Sequence, residues 1–161
     1  AKSEGTLLPE FMNQNVFHLE AHGNRIVVGV GGSKIYVSNN RGSTWTSRAN
    51  VPIEFNDFNT RLIISNNLIF IASTAGVWFS ADDGITWQQK NTGLDNLFVS
   101  DIRTTEESIV LVSDKVYVST LDAETWVARP GSGSIAGSFI AAQQEDLIIG
   151  GFDKVTRSRN N

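Results

Sequence analysis

Four segments of the chain can be laid over one another, and their spacing limits the folds open to it. The first holds Ile26-Val27-Val28-Gly29-Val30 and then Ile35-Tyr36-Val37-Ser38. The second holds Leu68-Ile69-Phe70-Ile71-Ala72 and Val77-Trp78-Phe79-Ser80; the third, Ile109-Val110-Leu111-Val112 and Val116-Tyr117-Val118-Ser119. The fourth holds Leu147-Ile148-Ile149-Gly150 and Val155-Thr156-Arg157-Ser158. The closing serines are 42, 39 and 39 residues apart. A helical repeat of this length needs apolar residues every 3.6 positions, and these short runs of Ile, Val and Phe read as buried strands instead. Several short strands in a unit of about forty residues is the spacing of propeller blades.

Each repeat can be filled out to four strands. Small and polar residues, such as Gly31-Gly32-Ser33-Lys34 and Ser73-Thr74-Ala75-Gly76, sit between the two runs as hairpin loops, where positive φ is often required. A preceding strand is expected over Val16 to Glu20, Thr60 to Ile64, Val99 to Thr104 and Ser138 to Ala142. A following strand is expected to begin at Trp45, Trp87 and Trp126. Four antiparallel strands per repeat make one blade. The expected fold class is therefore all-β, a propeller of about four blades over residues 1–161, with blades near 11–50, 51–92, 93–130 and an incomplete 131–161. Pro130-Gly131-Ser132-Gly133-Ser134 reads as a long crossover between blades, because the repeat resumes in phase after it.

Composition narrows the function classes. With 40% apolar and 19% charged residues the chain is suited to a packed core rather than to disorder. A formal charge of −4 lacks the clustered Lys and Arg that a nucleic-acid binder needs to neutralise phosphates. No apolar run reaches the length of a membrane-spanning helix. The absence of cysteine excludes disulfides, thiolate metal sites and cysteine nucleophiles.

After the third strand of each repeat comes a second signature: Ser38-Asn39-Asn40-Arg41-Gly42-Ser43-Thr44-Trp45, Ser80-Ala81-Asp82-Asp83-Gly84-Ile85-Thr86-Trp87, and Ser119-Thr120-Leu121-Asp122-Ala123-Glu124-Thr125-Trp126. These resemble the Asp-box, or BNR repeat, of pattern Ser-x-Asp-x-Gly-x-Thr-Trp. The second copy matches throughout, the first has Asn40 for Asp, and the third departs at Leu121 and Ala123. The residue types suit a hairpin turn. A short carboxylate or amide at Asp82 or Asn40 can accept hydrogen bonds from turn amides. Gly42 and Gly84 allow backbone geometry that other residues resist. Thr44, Thr86 and Thr125 can bond back into the turn, and each tryptophan can bury about 150–250 Å². On this reading Asp82 and Asp83 hold the turn rather than act as catalytic carboxylates or calcium ligands. Trp45, Trp87 and Trp126 pack rather than stack on sugars, because they recur in phase. Tyr36, Trp78 and Tyr117 share another equivalent position and are expected to form a packing layer between blades.

Few residues are arranged for chemistry. His18 and His22 are expected on a strand and turn at the surface, without a convincingly spaced third metal ligand. Gly29-Val30-Gly31-Gly32 lies between hairpin strands with no helix to follow, so it is not a phosphate loop. Sialidases with Asp-boxes use arginines, a tyrosine and acids, but the Arg-Ile-Pro type motif before the first box is absent; Arg25-Ile26-Val27 is a poor echo. Glycosidase chemistry needs two carboxylates about 5–10 Å apart. Glu10, Glu20, Glu54, Asp57 and Asp101 are available and none is singled out by its neighbours. The chain is similar to photosystem II assembly factor-like and sortilin-type Asp-box propellers, and that resemblance implies a non-catalytic scaffold that binds proteins, without a cofactor or metal. It also favours an extracellular or periplasmic setting. A fragment of a glycoside hydrolase and a carbohydrate-binding module are the alternatives.

The fourth repeat reaches Ser158-Arg159-Asn160-Asn161 without Gly-x-Thr-Trp. Since a closed ring hides its strand edges, the expectation is a piece of a larger propeller, or a chain that completes its ring with a second copy. Gly5-Thr6-Leu7-Leu8-Pro9 is a further candidate for the missing outer strand.

Overall fold

The computed structural model describes residues 13–49, 51–55, 60–130, 139–143, 146–151 and 155–159. Their regular structure is entirely β, in four separate antiparallel sheets. The first sheet runs β1 (Val16–His22), β2 (Arg25–Val30), β3 (Lys34–Ser38), β4 (Thr46–Ala49), in that order. The second is β5 (Arg61–Ser65), β6 (Leu68–Ser73), β7 (Gly76–Ser80), β8 (Gln88–Gln89), and the third β9 (Asp101–Thr104), β10 (Ile109–Val112), β11 (Val116–Ser119), β12 (Val127–Ala128). The fourth shows three strands among the described residues, β13 (Phe139–Gln143), β14 (Asp146–Gly150) and β15 (Val155–Arg159). This is an all-β fold of propeller blades.

Register carries the repeat into space. Ile26 pairs with Ser38, Ile69 with Ser80, Ile109 with Ser119 and Leu147 with Ser158. The fourth strands start one residue later than expected, after the tryptophan. The reason is that the tryptophan belongs to the turn: the Trp126 amide donates to Thr92 O of the preceding crossover at 2.8 Å instead of joining a ladder. The third inner strand starts at Asp101 rather than Val99, whose amide is drawn to Ser73 O of the second sheet at 3.1 Å. Ser138 lies outside the described residues.

The central strands are apolar on both faces because both faces are covered. Between the first two sheets lie Val27, Ile35 and Val37 against Leu62, Ile64, Ile69 and Ile71, with Val51 and Phe55 from the crossover closing the layer. Between the second and third lie Phe70, Ala72 and Val77 against Ile102, Ile109, Leu111, Tyr117 and Trp126. Between the third and fourth lie Val110, Val112 and Val116 against Ile140, Leu147 and Ile149. Each such side chain, fully buried, contributes about 1.5–3 kcal/mol. These layers stack the sheets side by side. The first strands meet in sequence, β1 on β5, β5 on β9 and β9 on β13, so they line an axis. No comparable contact joins β13 to β1, and the sheets are not closed into a ring.

Topology sorts the connections onto two ends. The β1–β2, β5–β6 and β9–β10 turns share one end with the turns that follow β3, β7 and β11. The second-to-third strand hairpins and the crossovers between sheets share the other.

Candidate functional site

At the turn that follows β7, Ser80 Oγ donates to Asp82 Oδ1 at 2.9 Å and accepts the Gly84 amide at 2.8 Å. Asp82 Oδ1 also accepts the amides of Thr86 (2.8 Å) and Ile85 (3.1 Å), and Oδ2 accepts the Thr86 hydroxyl at 2.6 Å. These donors, the Thr86 hydroxyl foremost, hold the Asp82 carboxyl down to about 2 from its ordinary 3.8. The turn after β3 repeats the pattern with an amide. Asn40 Oδ1 accepts the Thr44 amide and its Nδ2 donates to Thr44 Oγ1, both at 2.8 Å, while Ser38 Oγ accepts the Gly42 amide at 2.9 Å. Gly42 and Gly84 have φ of +83° and +79°, where a side chain is strained. The turn after β11 is built differently. Leu121 offers no acceptor and packs against the core, so Ser119 Oγ turns to Thr125 O at 2.6 Å. Ala123 takes φ of +54° in the glycine place. Ser158 sits on β15 opposite Leu147, and Asn160 lies outside the described residues.

Trp126 and Trp87 reach back toward the preceding sheet. Trp126 is buried, and its Nε1 donates to Lys90 O at 2.8 Å. Trp87 is half-buried, packed against the layer between the first and second sheets. Trp45 packs with Val28, Val30 and Tyr36 on the side of the first sheet that faces away from the second. Asp83 departs from the turn-holding expectation: it pairs with the buried Arg25 of the first sheet and accepts Asn39 Nδ2 at 3.2 Å, so it ties two blades together.

The densest electrostatics lie on the axis, in a cavity of about 350 Å³ lined by His18, Leu19 and Glu20 of β1, Arg61, Leu62 and Ile63 of β5, and Arg103 and Thr104 of β9. Beside it Asp101 is completely buried. Its Oδ1 accepts Arg103 Nη1 at 2.9 Å and the Ile102 amide at 3.0 Å, with Arg61 Nε at 3.5 Å. Its Oδ2 accepts the Ile140 amide at 2.9 Å, across the boundary to the fourth sheet. His18 stacks at a tilt on Phe55, ring centres 5.9 Å apart. It is half-buried rather than on the surface as expected. Burial, reinforced by Arg61, lowers its pKa, whereas burial raises that of Glu20 against the pull of Arg103 and His22. Both arginines remain partly open to solvent. The axis thus presents two guanidiniums to an incoming group, and one of its two carboxylates is wholly committed to the protein.

Sequence reasoning left these residues unassembled. The signal was nonetheless there. His18, Arg61 and Asp101 pair with Gly29, Ala72 and Val112, the same step of the repeat, so a polar side chain recurs at one position of the first strand in three sheets, with Phe139 at that step in the fourth. At the crossover end Leu97 and Phe98 stand exposed, four and three residues before Asp101. At the opposite end a groove of about 640 Å³ between the first two sheets is lined by turn residues including Asn24, Asn39, Asn66 and Asn67. Among the described residues no group of three or more His, Cys, Asp or Glu is placed to hold a metal ion. Among the described residues no helix is long and apolar enough to cross a membrane.

No family model matches the sequence. No curated protein is similar to it either. Solved structures share its fold at low identity. The computationally designed Ika4 protein superimposes with a TM-score of 0.64 at 11% identity, over 92% of this chain and 93% of Ika4. An ancestral GH74 enzyme gives 0.66 at 16%, over 89% of this chain and 22% of the enzyme. YCF48 from Cyanidioschyzon merolae gives 0.63 at 11%, over 92% of this chain and 55% of YCF48, and a YCF48 structure bound to D1 peptide gives 0.55. The chain therefore spans nearly all of one of these proteins, about half of another and about a fifth of the third. These likenesses establish the propeller fold.

Proposed function

We propose that this chain is a non-catalytic, protein-binding scaffold built from Asp-box blades, and that it receives a peptide segment at the crossover end of its axis. The observation that carries the reading is the axial cavity, lined by Arg61 and Arg103, which remain partly open to solvent beside a fully committed Asp101. Two guanidiniums suit a carboxylate or a row of backbone carbonyls. The exposed Leu97 and Phe98 nearby supply the apolar anchor typical of a protein interface. A glycosidase would need two carboxylates facing the same opening, and here only Glu20 is free to do so among the described residues lining it. The D1 peptide held by a YCF48 shows that a protein of this fold can bind peptide. The Asp-box assignment is supported by the Ser, Asp or Asn, Gly and Thr bonding at two turns, which gives each fixed position a physical role.

The test is selection from a displayed random-peptide library on the intact chain, alongside a glycan array and hydrolysis assays on xyloglucan, β-glucans and sialosides. Peptides rich in carboxylate and apolar residues are expected to emerge and to lose binding at least tenfold with Arg103→Ala or Phe98→Ser. Glycan binding, or hydrolysis abolished by Glu20→Gln, would refute the proposal in favour of a carbohydrate-binding module or a hydrolase fragment.

A further inference from the structure

The first strands set the polar side chains of the axis in two tiers. His18, Arg61 and Asp101 hold one step, opposite Gly29, Ala72 and Val112. Two residues further along the same strands, Glu20, Ile63 and Arg103 hold the next, opposite Val27, Phe70 and Val110. Residues two apart on a strand share a side, about 6.5 Å from one another. Arg103 reaches back across that step to Asp101 Oδ1 at 2.9 Å. Glu20 has no such tie. It makes no hydrogen bond or ion pair among the described residues, although it lines the same cavity as Arg61 and Arg103.

Counting charges shows what this lone carboxylate decides. Arg61 and Arg103 bring two positive charges, and the buried Asp101 cancels one. His18 is neutral at neutral pH, since burial and Arg61 both lower its pKa from 6.5. One positive charge is left, and it is matched only while Glu20 is ionised. The groups that act on Glu20 are Arg103 from β9 and His22 from its own strand, and both favour its charge. Ile63 of β5 is buried and carries none. Glu106, beyond Thr104, shares a separate cavity with His22. Burial opposes the charge of Glu20 more strongly than these neighbours favour it, so its pKa lies above the ordinary 4.5.

We propose that Glu20 gates the axis: ionised, it engages the spare positive charge of Arg61 and Arg103; neutralised, it yields that charge to an incoming anion, which then binds more tightly. The gate rests on the peptide-binding reading for its natural ligand, a segment that bears carboxylates. An ordinary carboxylate on such a segment stays ionised where the half-buried Glu20 has already taken up its proton, so mildly acid conditions favour binding. The coupling is reciprocal. A bound anion must raise the proton affinity of Glu20 by the factor by which protonation raises the affinity for the anion.

The experiment titrates inorganic sulfate into the intact chain from about pH 7.5 to about pH 4.5, across the ordinary imidazole and carboxylate ranges. Sulfate keeps its charge throughout, so any pH dependence belongs to the protein. The Nε–H resonances of the arginines report binding, and the carboxyl carbon of Glu20 reports its ionisation. Affinity is expected to rise about tenfold toward acid, the order set by removing one charge several ångströms away. Glu20→Gln is expected to bind tightly across the range with most of that gain gone, while His22→Gln keeps it. Saturating sulfate is expected to move the Glu20 titration to higher pH, and Arg103→Ala without sulfate to move it the same way, since Arg103 favours the ionised form. No sulfate binding at any pH, or an affinity independent of pH, would overturn the gate. So would a gain that survives in Glu20→Gln and vanishes in His22→Gln, or a Glu20 titration unmoved by sulfate. Peptide selection is judged separately: a chain that selects no peptide but shows the sulfate coupling keeps the gate and loses the protein-binding function.

Discussion

Removing the Asp101 carboxylate tests the reading of the axis most directly. In Asp101→Ala, four bonds go at once: those from Arg103 and Arg61, and those from the Ile102 and Ile140 amides. The guanidiniums are partly exposed and can turn to water, so their loss is cheap. The amides are buried and cannot, and each buried donor left unsatisfied costs about 1–3 kcal/mol. The sum for the two amides is about 2–6 kcal/mol. It is a large share of the roughly 5–15 kcal/mol that holds a domain together. Asp101→Asn keeps the shape and one acceptor, and is expected to lose about half as much. Urea unfolding followed by tryptophan fluorescence and circular dichroism measures both. Hydrogen exchange at Ile140 is a second readout, because its amide donates across the sheet boundary. If Asp101→Ala falls within about 0.5 kcal/mol of the unsubstituted chain, the range of an ordinary surface change, Asp101 does not tie the third and fourth sheets together.

Further expectations follow from the turns and crossovers. Trp126→Ala removes a buried indole together with its bond to Lys90, and should cost about 3–5 kcal/mol, while Trp87→Ala at a half-buried site should cost clearly less by the same urea assay. Asp82 has a lowered folded-state pKa, so its contribution is complete above its ordinary 3.8 and is lost as pH falls through about 2. Acid unfolding curves of the parent and of Asp82→Asn should therefore converge across that window, with a separation above it of order 1 kcal/mol for a solvent-screened group. Gly93 has φ of +93°, and a methyl group there would lie 2.1 Å from Trp126 O. Gly93→Ala should cost at least about 2 kcal/mol, from left-handed strain and the displaced crossover together; a neutral result in thermal unfolding would show that the crossover is free to shift.

The sequence alone determined what is local and periodic. Runs such as Leu68-Ile69-Phe70-Ile71-Ala72 have no alternation because both faces are covered, and a forty-residue step between matching serines requires the same strand pattern each time. Turn chemistry is equally local, since Ser80, Asp82 and Thr86 satisfy one another within seven residues. What the tertiary structure decided is where the repeats differ and what meets across them. The strand boundaries at Trp126 and Asp101 moved because their neighbourhoods are bonded to the preceding sheet, which no local pattern records. Asp83 became a tie to Arg25 for the same reason. His18, Arg61 and Asp101 are about forty residues apart in the chain. They become one axial cluster only when sheets pack side by side with their first strands innermost, because burial then forces charges into pairs that sequence distance hides.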